Sequence, residues 1–229
     1  MNFGDFQIPL LIAKKSINKG HVNLQIDRYA GVAFYVGDKG KVVTCRHIIQ
    51  MVQDDEVLVG KCLVSNQILP ISNIKEHPKF DFAMGVFPTT HKYSTFPIEN
   101  VELSLGQDVR VFGFNNIGKV GENVEVKARL LKGYIVSISD KSDHPEAKSI
   151  TELSFPSLKG FSGSPLVSTQ TGQLVGMMFS NLESSIEVHS FMDVEENGDS
   201  FKEGIYRIIE LGLAHPVKDI IEFMSELEK

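Results

Sequence analysis

Apolar runs of a few residues, each closed by a turn signal, recur along most of this chain and leave little room for anything but a β fold. Val22 to Ile26 alternates apolar and polar residues, as a half-buried strand does. Gly31 to Val36 runs into the turn signal Gly37-Asp38-Lys39-Gly40 and then into Lys41 to Thr44, a hairpin by composition. Further strands are expected over Glu56 to Val64, Gln67 to Lys75, Phe82 to Phe87, Asp108 to Phe114 and Val124 to Ile138. Two more, Ser164 to Ser168 and Gln173 to Phe179, are joined by Thr169-Gln170-Thr171-Gly172. Nineteen glycines suit many tight turns. Short strands at this spacing point to a sandwich or to barrels.

Three stretches depart from that rhythm. Phe96 to Gly106 is polar, holds Pro97 and Gly106, and reads as a crossing between two halves. Ser185 to Leu213 reads as a long hairpin turning at Glu196-Asn197-Gly198-Asp199-Ser200, because Asn-Gly is the strongest short hairpin signal. Asp193 to Glu196 would be its solvated tip, with partner binding as the alternative. Val217 to Leu227 places Val217, Ile220, Ile221, Met224 and Leu227 at helical spacing, an apolar face expected to pack on the second half.

Charge and cysteine usage narrow the function classes. A net charge of -6, with no run of Lys and Arg, argues against a nucleic-acid partner. Cys45 and Cys62 are no disulfide framework and read as buried thiols. No CxxC or HxxxH spacing accompanies them, so zinc is not expected. Ile8 to Ala13 is too short for a leader and is followed by lysines. No apolar run reaches the length of a membrane span. The expectation is a cytoplasmic protein with no membrane partner.

Gly160-Phe161-Ser162-Gly163-Ser164-Pro165 carries the chemistry. Glycines on either side let the backbone present a hydroxyl at a tight turn, and neighbouring amides can stabilise an oxyanion. A serine alone is a poor nucleophile and needs a base, which needs an orienting acid. Val42 to Ile49 reads as an apolar strand that ends on a histidine, His47. His77 to Asp81 is a loop that ends on an aspartate and runs into the next strand. The order of the three is His, Asp, Ser. An α/β-hydrolase elbow does not fit: Ser164 stands where it needs glycine, and its residue order is the reverse.

With these motifs the chain resembles the trypsin-like (chymotrypsin-fold) serine proteases, and within them the bacterial HtrA-like group. The similarity covers about Ala30 to Glu226. Gly31 to His47 resembles the family's strand, turn, strand and histidine, and Asn73 to Phe87 the strand leading to the acid. Leu105 to Phe114 is similar to the opening strand of the second barrel, Gly133 to Ser137 to the strand before the substrate loops, and Leu213 to Pro216 to the closing strand. The resemblance implies an all-β fold of two antiparallel six-stranded barrels with a C-terminal helix, as one domain: first barrel 20–100, second barrel 101–215, helix 216–229. It implies a serine endopeptidase, here expected to be intracellular from the N-terminal reading above, that cleaves protein or peptide substrates through an acyl-enzyme, without cofactor or metal. Ser162 would be the nucleophile, His47 the base and then the acid, and Asp81 the group that holds the imidazole tautomer. The amides of Gly160 and Ser162 would form the oxyanion hole. The substrate pocket would be walled by Phe155-Pro156-Ser157 and Phe179-Ser180-Asn181, with Leu213 or Ala214 at the back.

Departures from the family pattern bear on specificity and control. Phe161 stands where digestive proteases carry an aspartate that pairs with a new N-terminus, so activation by that route is not expected. It reads instead as a core aromatic filling the space behind the nucleophile. Lys159 and Arg46 would alter the cleft rim. No PDZ-like segment is expected. None of the pocket residues is acidic, which points to a small or medium apolar residue before the cut rather than Arg or Lys. The loop Leu153 to Gly160 is expected to be unordered until a substrate or a regulatory protein partner orders it. Met177 and Met178 read as strand core and cleft wall, His77 and His91 as loop residues. His189 and His215 read as strand-edge histidines, facing solvent or satisfied by backbone. The competing function is an inactive, protease-like binding module, which the intact His, Asp and Ser disfavour.

Overall fold

The computed structural model describes residues 3–18, 21–120, 123–194 and 200–227. In chain order the elements are β1 (Gln7–Asn18), β2 (His21–Tyr35), β3 (Lys41–Thr44), α1 (Arg46–Gln50), β4 (Glu56–Lys61), β5 (Ile68–Pro70), β6 (Ser72–Glu76) and β7 (Ala83–Val86). After a linker come β8 (Asp108–Val120), β9 (Asn123–Ser139), β10 (Ile150–Leu153), β11 (Pro165–Ser168), β12 (Leu174–Val194), β13 (Ser200–Pro216) and α2 (Val217–Leu227).

All pairings are antiparallel. The first sheet runs β5-β4-β1-β2-β3-β7-β6. Its two edge strands, β5 and β6, are separated in the chain by Ile71 alone. Such a sheet has to curl until its edges meet, and β5 with β6 then acts as one kinked strand of a six-stranded barrel. The second sheet is a closed barrel, β10-β13-β12-β11-β8-β9. Closure leaves no free edge in the barrel itself.

The strand pattern differs from the sequence reading at β1, at the end of β3 and at β10. β1 pairs with β2 and β4, and Ile8, Leu10 and Ile12 are fully buried. The N-terminal apolar piece is therefore a central strand, and the first sheet starts ahead of residue 20, where the reading began it. Thr44 ends β3, so His47 sits on the one-turn helix α1 rather than at the end of a strand running to Ile49. β10 was not expected. The hairpin of β12 and β13 is present, but the turn from Glu196 to Asp199 and the end of the acidic run lie outside the described residues.

One apolar cluster spans both halves. It joins Ile8 and Phe34 of the first sheet, with Phe82 from the loop before β7, to Val167, Met177 and Phe179 of the second and to Val217, Ile220 and Phe223 of α2. The helix thus packs on both barrels, not on the second alone: Phe223 stacks on Phe82, with centroids 5.6 Å apart. Asp219 on the same helix accepts hydrogen bonds from the Ser149 hydroxyl at 2.6 Å and amide at 3.2 Å. A second cluster, with Val111, Ile135, Leu153, Phe161 and Leu166, fills the second barrel. Backbone bonds also tie the halves. Val32 N donates to Ser162 O at 2.9 Å and Asp81 N to Glu146 O at 2.8 Å. The residues singled out by sequence lie at this seam.

Candidate active site

His47 and Asp81 meet at two points. The His47 amide donates to Asp81 Oδ1 at 2.8 Å, and His47 Nδ1 lies 2.7 Å from Asp81 Oδ2. Asp81 is 1% exposed. Burial pushes its carboxyl pKa up, but the hydrogen bonds and charge of His47 together outweigh that and hold it below its ordinary value. An ionised carboxylate only accepts, so Nδ1 must carry the proton and Nε2 is left as the basic nitrogen.

The loop that delivers Asp81 is stitched by its own residues. His77 Nδ1 accepts the amides of Lys79 at 3.0 Å and Phe80 at 2.8 Å, and His77 N donates to Phe82 O at 2.9 Å. Arg46 clamps the same loop. Its guanidinium donates to His77 O at 3.2 Å and to Glu146 of the second barrel at 3.3 Å. The reading placed Arg46 at the cleft rim; the structure makes it a strut between the loop that carries Asp81 and Glu146. His77 and Glu146 were missed as parts of the site, and nothing in their local sequence marks them.

Ser162 follows directly on a turn that only glycine permits. Phe161 N donates to Leu158 O at 2.8 Å, and Gly160, third of the four residues, has φ +96. Those features define a type II turn, in which the Lys159-Gly160 peptide is flipped relative to type I. A Cβ on Gly160 would come within 2.5 Å of the Tyr29 ring, and one on Gly163 within 2.0 Å of Val32 O. Among the described residues, the amides of Gly160 and Ser162 donate to no acceptor in the protein. Phe161 is fully buried in the second-barrel cluster. Ser162 Oγ makes no hydrogen bond to His47 among the described residues. The chain therefore brings His47 and Asp81 into contact and holds the serine turn against β2, through Val32, without closing the last link.

The loop Leu153 to Gly160 has a defined course, contrary to the sequence expectation. Gly212 N donates to Phe155 O at 2.8 Å, and Asn181 pairs with Ser157 twice, Ser157 N to Oδ1 at 2.5 Å and Nδ2 to Ser157 O at 2.9 Å. Of the expected pocket residues, Pro156, Ser157, Ser180 and Asn181 are half-buried, whereas Phe179 and Ala214 are buried.

His215 overturns its expected role. It is fully buried, and neither ring nitrogen has a hydrogen-bond partner. Its ring is sandwiched between Phe179, with centroids 4.0 Å apart, and Phe82, at 4.3 Å. Burial pushes its pKa down to about 3, so the ring is neutral. Cys45 is buried as well, and its thiol donates to Met178 O at 3.4 Å. Burial pushes that thiol's pKa up. Cys45, His47 and Asp81 are the set among the described residues with metal-ligand spacing, their donor atoms lying within 4.8 Å of one another. A protonated thiol and a carboxylate already engaged by His47 make it a poor ligand set.

Residues 31–177 match the family model of the trypsin-like peptidase domain. Among solved structures, the chain is similar to the HtrA-type protease AlgW with decapeptide, with a TM-score of 0.66 and 14% identity over 97% of this chain and 64% of that one. AlgW with tripeptide gives a TM-score of 0.61 at 14% identity, over 98% of this chain and 60% of that one. The chain thus spans under two thirds of the length of these proteins, and at such identity the likeness bears on the fold. No curated protein matches this sequence.

Proposed function

The chain belongs to the trypsin-like peptidase domain family, and on that premise we propose that it is a serine endopeptidase working through His47, Asp81 and Ser162. The observation that carries this reading is the two-point grip of Asp81 on His47, which leaves Nε2 as a base on the side of the ring away from the carboxylate. In the proposed reaction Nε2 takes the Ser162 proton as Oγ attacks the peptide carbonyl. The oxyanion is held by the amides of Gly160 and Ser162. His47 then hands its proton to the departing amine, the C–N bond breaks and an acyl-enzyme remains. Water, activated by the same nitrogen, releases the acid and restores Ser162.

The substrate we assign is an extended protein or peptide segment. The AlgW structures hold a decapeptide and a tripeptide, which supports that class of ligand here. Pro156, Ser157, Phe179, Ser180, Asn181 and Ala214 bring no charge to the pocket, so the residue before the cut would be small or medium and apolar. Buried free thiols at Cys45 and Cys62 favour an intracellular setting, and restraint by a protein partner belongs to the same reading. A panel of peptides varied at the position before the cut tests the proposal. Cleavage after apolar residues that vanishes in Ser162→Ala supports it. Strong preference for Arg overturns the pocket assignment, and turnover that survives Ser162→Ala overturns the mechanism.

A further inference from the structure

Past Asn181, β12 and β13 leave the barrel as a two-stranded ribbon. Its register pairs Leu182 with Leu211, Ser184 with Ile209, Ile186 with Arg207, His189 with Ile205 and Phe191 with Glu203. Residues directly opposite in an antiparallel pair share a face. Val188 is the extra residue of a bulge between Glu187 and His189, which keeps His189 on the face of Ile186. One face therefore carries Leu182, Ile186, Phe191, Phe201, Ile205 and Ile209, all of them exposed, Ile205 at 57%. The opposite face is mainly polar. There Lys202 pairs with Glu187 at 2.9 Å, beside Tyr206.

A hairpin with two strands is marginal in water, and an apolar patch of this kind marks an interaction surface. The polar residues on the apolar face say what covers it. Arg207 and Glu203 lie on either side of Ile205, two residues away each. On one extended strand they are about 13 Å apart and cannot meet. Neither makes an ion pair among the described residues.

We propose that this face binds the same face of a second copy of this chain, about a two-fold axis crossing the strands at Ile205 and His189. Such an axis reverses strand direction, so whatever lies two residues beyond Ile205 falls over whatever lies two residues before it. Arg207 then meets the partner's Glu203, and Glu203 the partner's Arg207. Phe191 falls over the partner's Ile186, and Ile209 over the partner's Phe201. The face is its own complement in shape class and in charge, as a two-fold interface requires. Two ribbons stacked this way form a four-stranded sandwich at the usual sheet spacing of about 10 Å, with the Arg207–Glu203 pairs set among the apolar contacts. The proposal does not depend on peptidase activity.

Sedimentation equilibrium of the full chain across a wide concentration range tests it. The wild type should pass from the 25.5 kDa of one chain to twice that mass. Arg207→Glu or Glu203→Arg should each weaken association about tenfold or more, since like charges then face each other. Combining the two should restore it, and Ile205→Glu should abolish it. A wild type that stays single at every concentration overturns the proposal. So do single variants that associate like wild type, a combined variant as weak as its parents, and a single-copy protein whose apolar face instead binds peptides or lipid vesicles.

Discussion

Asp81 holds His47 by backbone and ring at once, Oδ1 on the amide at 2.8 Å and Oδ2 on Nδ1 at 2.7 Å. A neutral amide at position 81 could keep the shape but would present a donor to one of those sites. Asp81→Asn should therefore leave circular dichroism unchanged while turnover of a peptide substrate falls about 10⁴-fold, the loss expected when the imidazole tautomer is wrong. A loss under tenfold would mean the carboxylate is not what orients the ring.

The Gly160 turn makes a separate prediction. Its φ of +96 and the 2.5 Å approach of an added Cβ to Tyr29 leave no room for a side chain. Gly160→Ala should turn the Lys159-Gly160 peptide away and remove one oxyanion donor. Turnover should drop about 10²–10³-fold, with KM little changed. Steady-state kinetics on the folded variant separates this from a loss of substrate binding.

Arg46 joins the His77 loop to Glu146. Arg46→Met keeps the stem and removes the clamp. Because small misplacements of catalytic groups cost up to about 10²-fold, kcat should fall about tenfold or more while the melting temperature changes little. Equal losses in Glu146→Gln, which weakens the same link, would identify the clamp rather than the charge of Arg46 as the cause.

His215 sets a pH dependence of stability. Its folded pKa, about 3, lies below the ordinary 6.5. Between those values the unfolded chain holds a proton that the folded chain does not. Its stabilising effect is thus fully present above pH 6.5 and is lost as pH falls from there toward 3, by at most about 1.4 kcal/mol per pH unit. Asp81, held below 3.8, adds a further loss only as pH falls below that value. Urea titrations at pH 7 and pH 5 should show the difference, and His215→Phe, which keeps an aromatic ring between Phe82 and Phe179 and removes the titratable group, should flatten it. An unchanged slope in that variant would assign the acid sensitivity elsewhere.

What could be read from the sequence was local. Glycines around Ser162, an apolar run before His47 and the loop before Asp81 are short-range patterns, and each carries its own stereochemistry. What could not be read depends on distant neighbours. Ala214-His215-Pro216 looks like any strand end, and only the rings of Phe82 and Phe179 show it to be interior. The ribbon's apolar face escapes a period-two reading because the bulge at Val188 shifts the alternation midway. β1 was hidden because its buried half, Ile8 to Ala13, is followed by exposed Lys14 and Lys15 as the strand leaves the barrel. Arg46 read only as a residue of the cleft rim because its acceptors, His77 and Glu146, are far along the chain.

The most direct measurement is covalent labelling with a fluorophosphonate, mapped by mass spectrometry. A nucleophilic serine activated by His47 should carry the adduct at Ser162 alone, and labelling should disappear in both Ser162→Ala and His47→Ala. A folded wild-type protein that takes no label, or one labelled as fast without His47, would contradict the account.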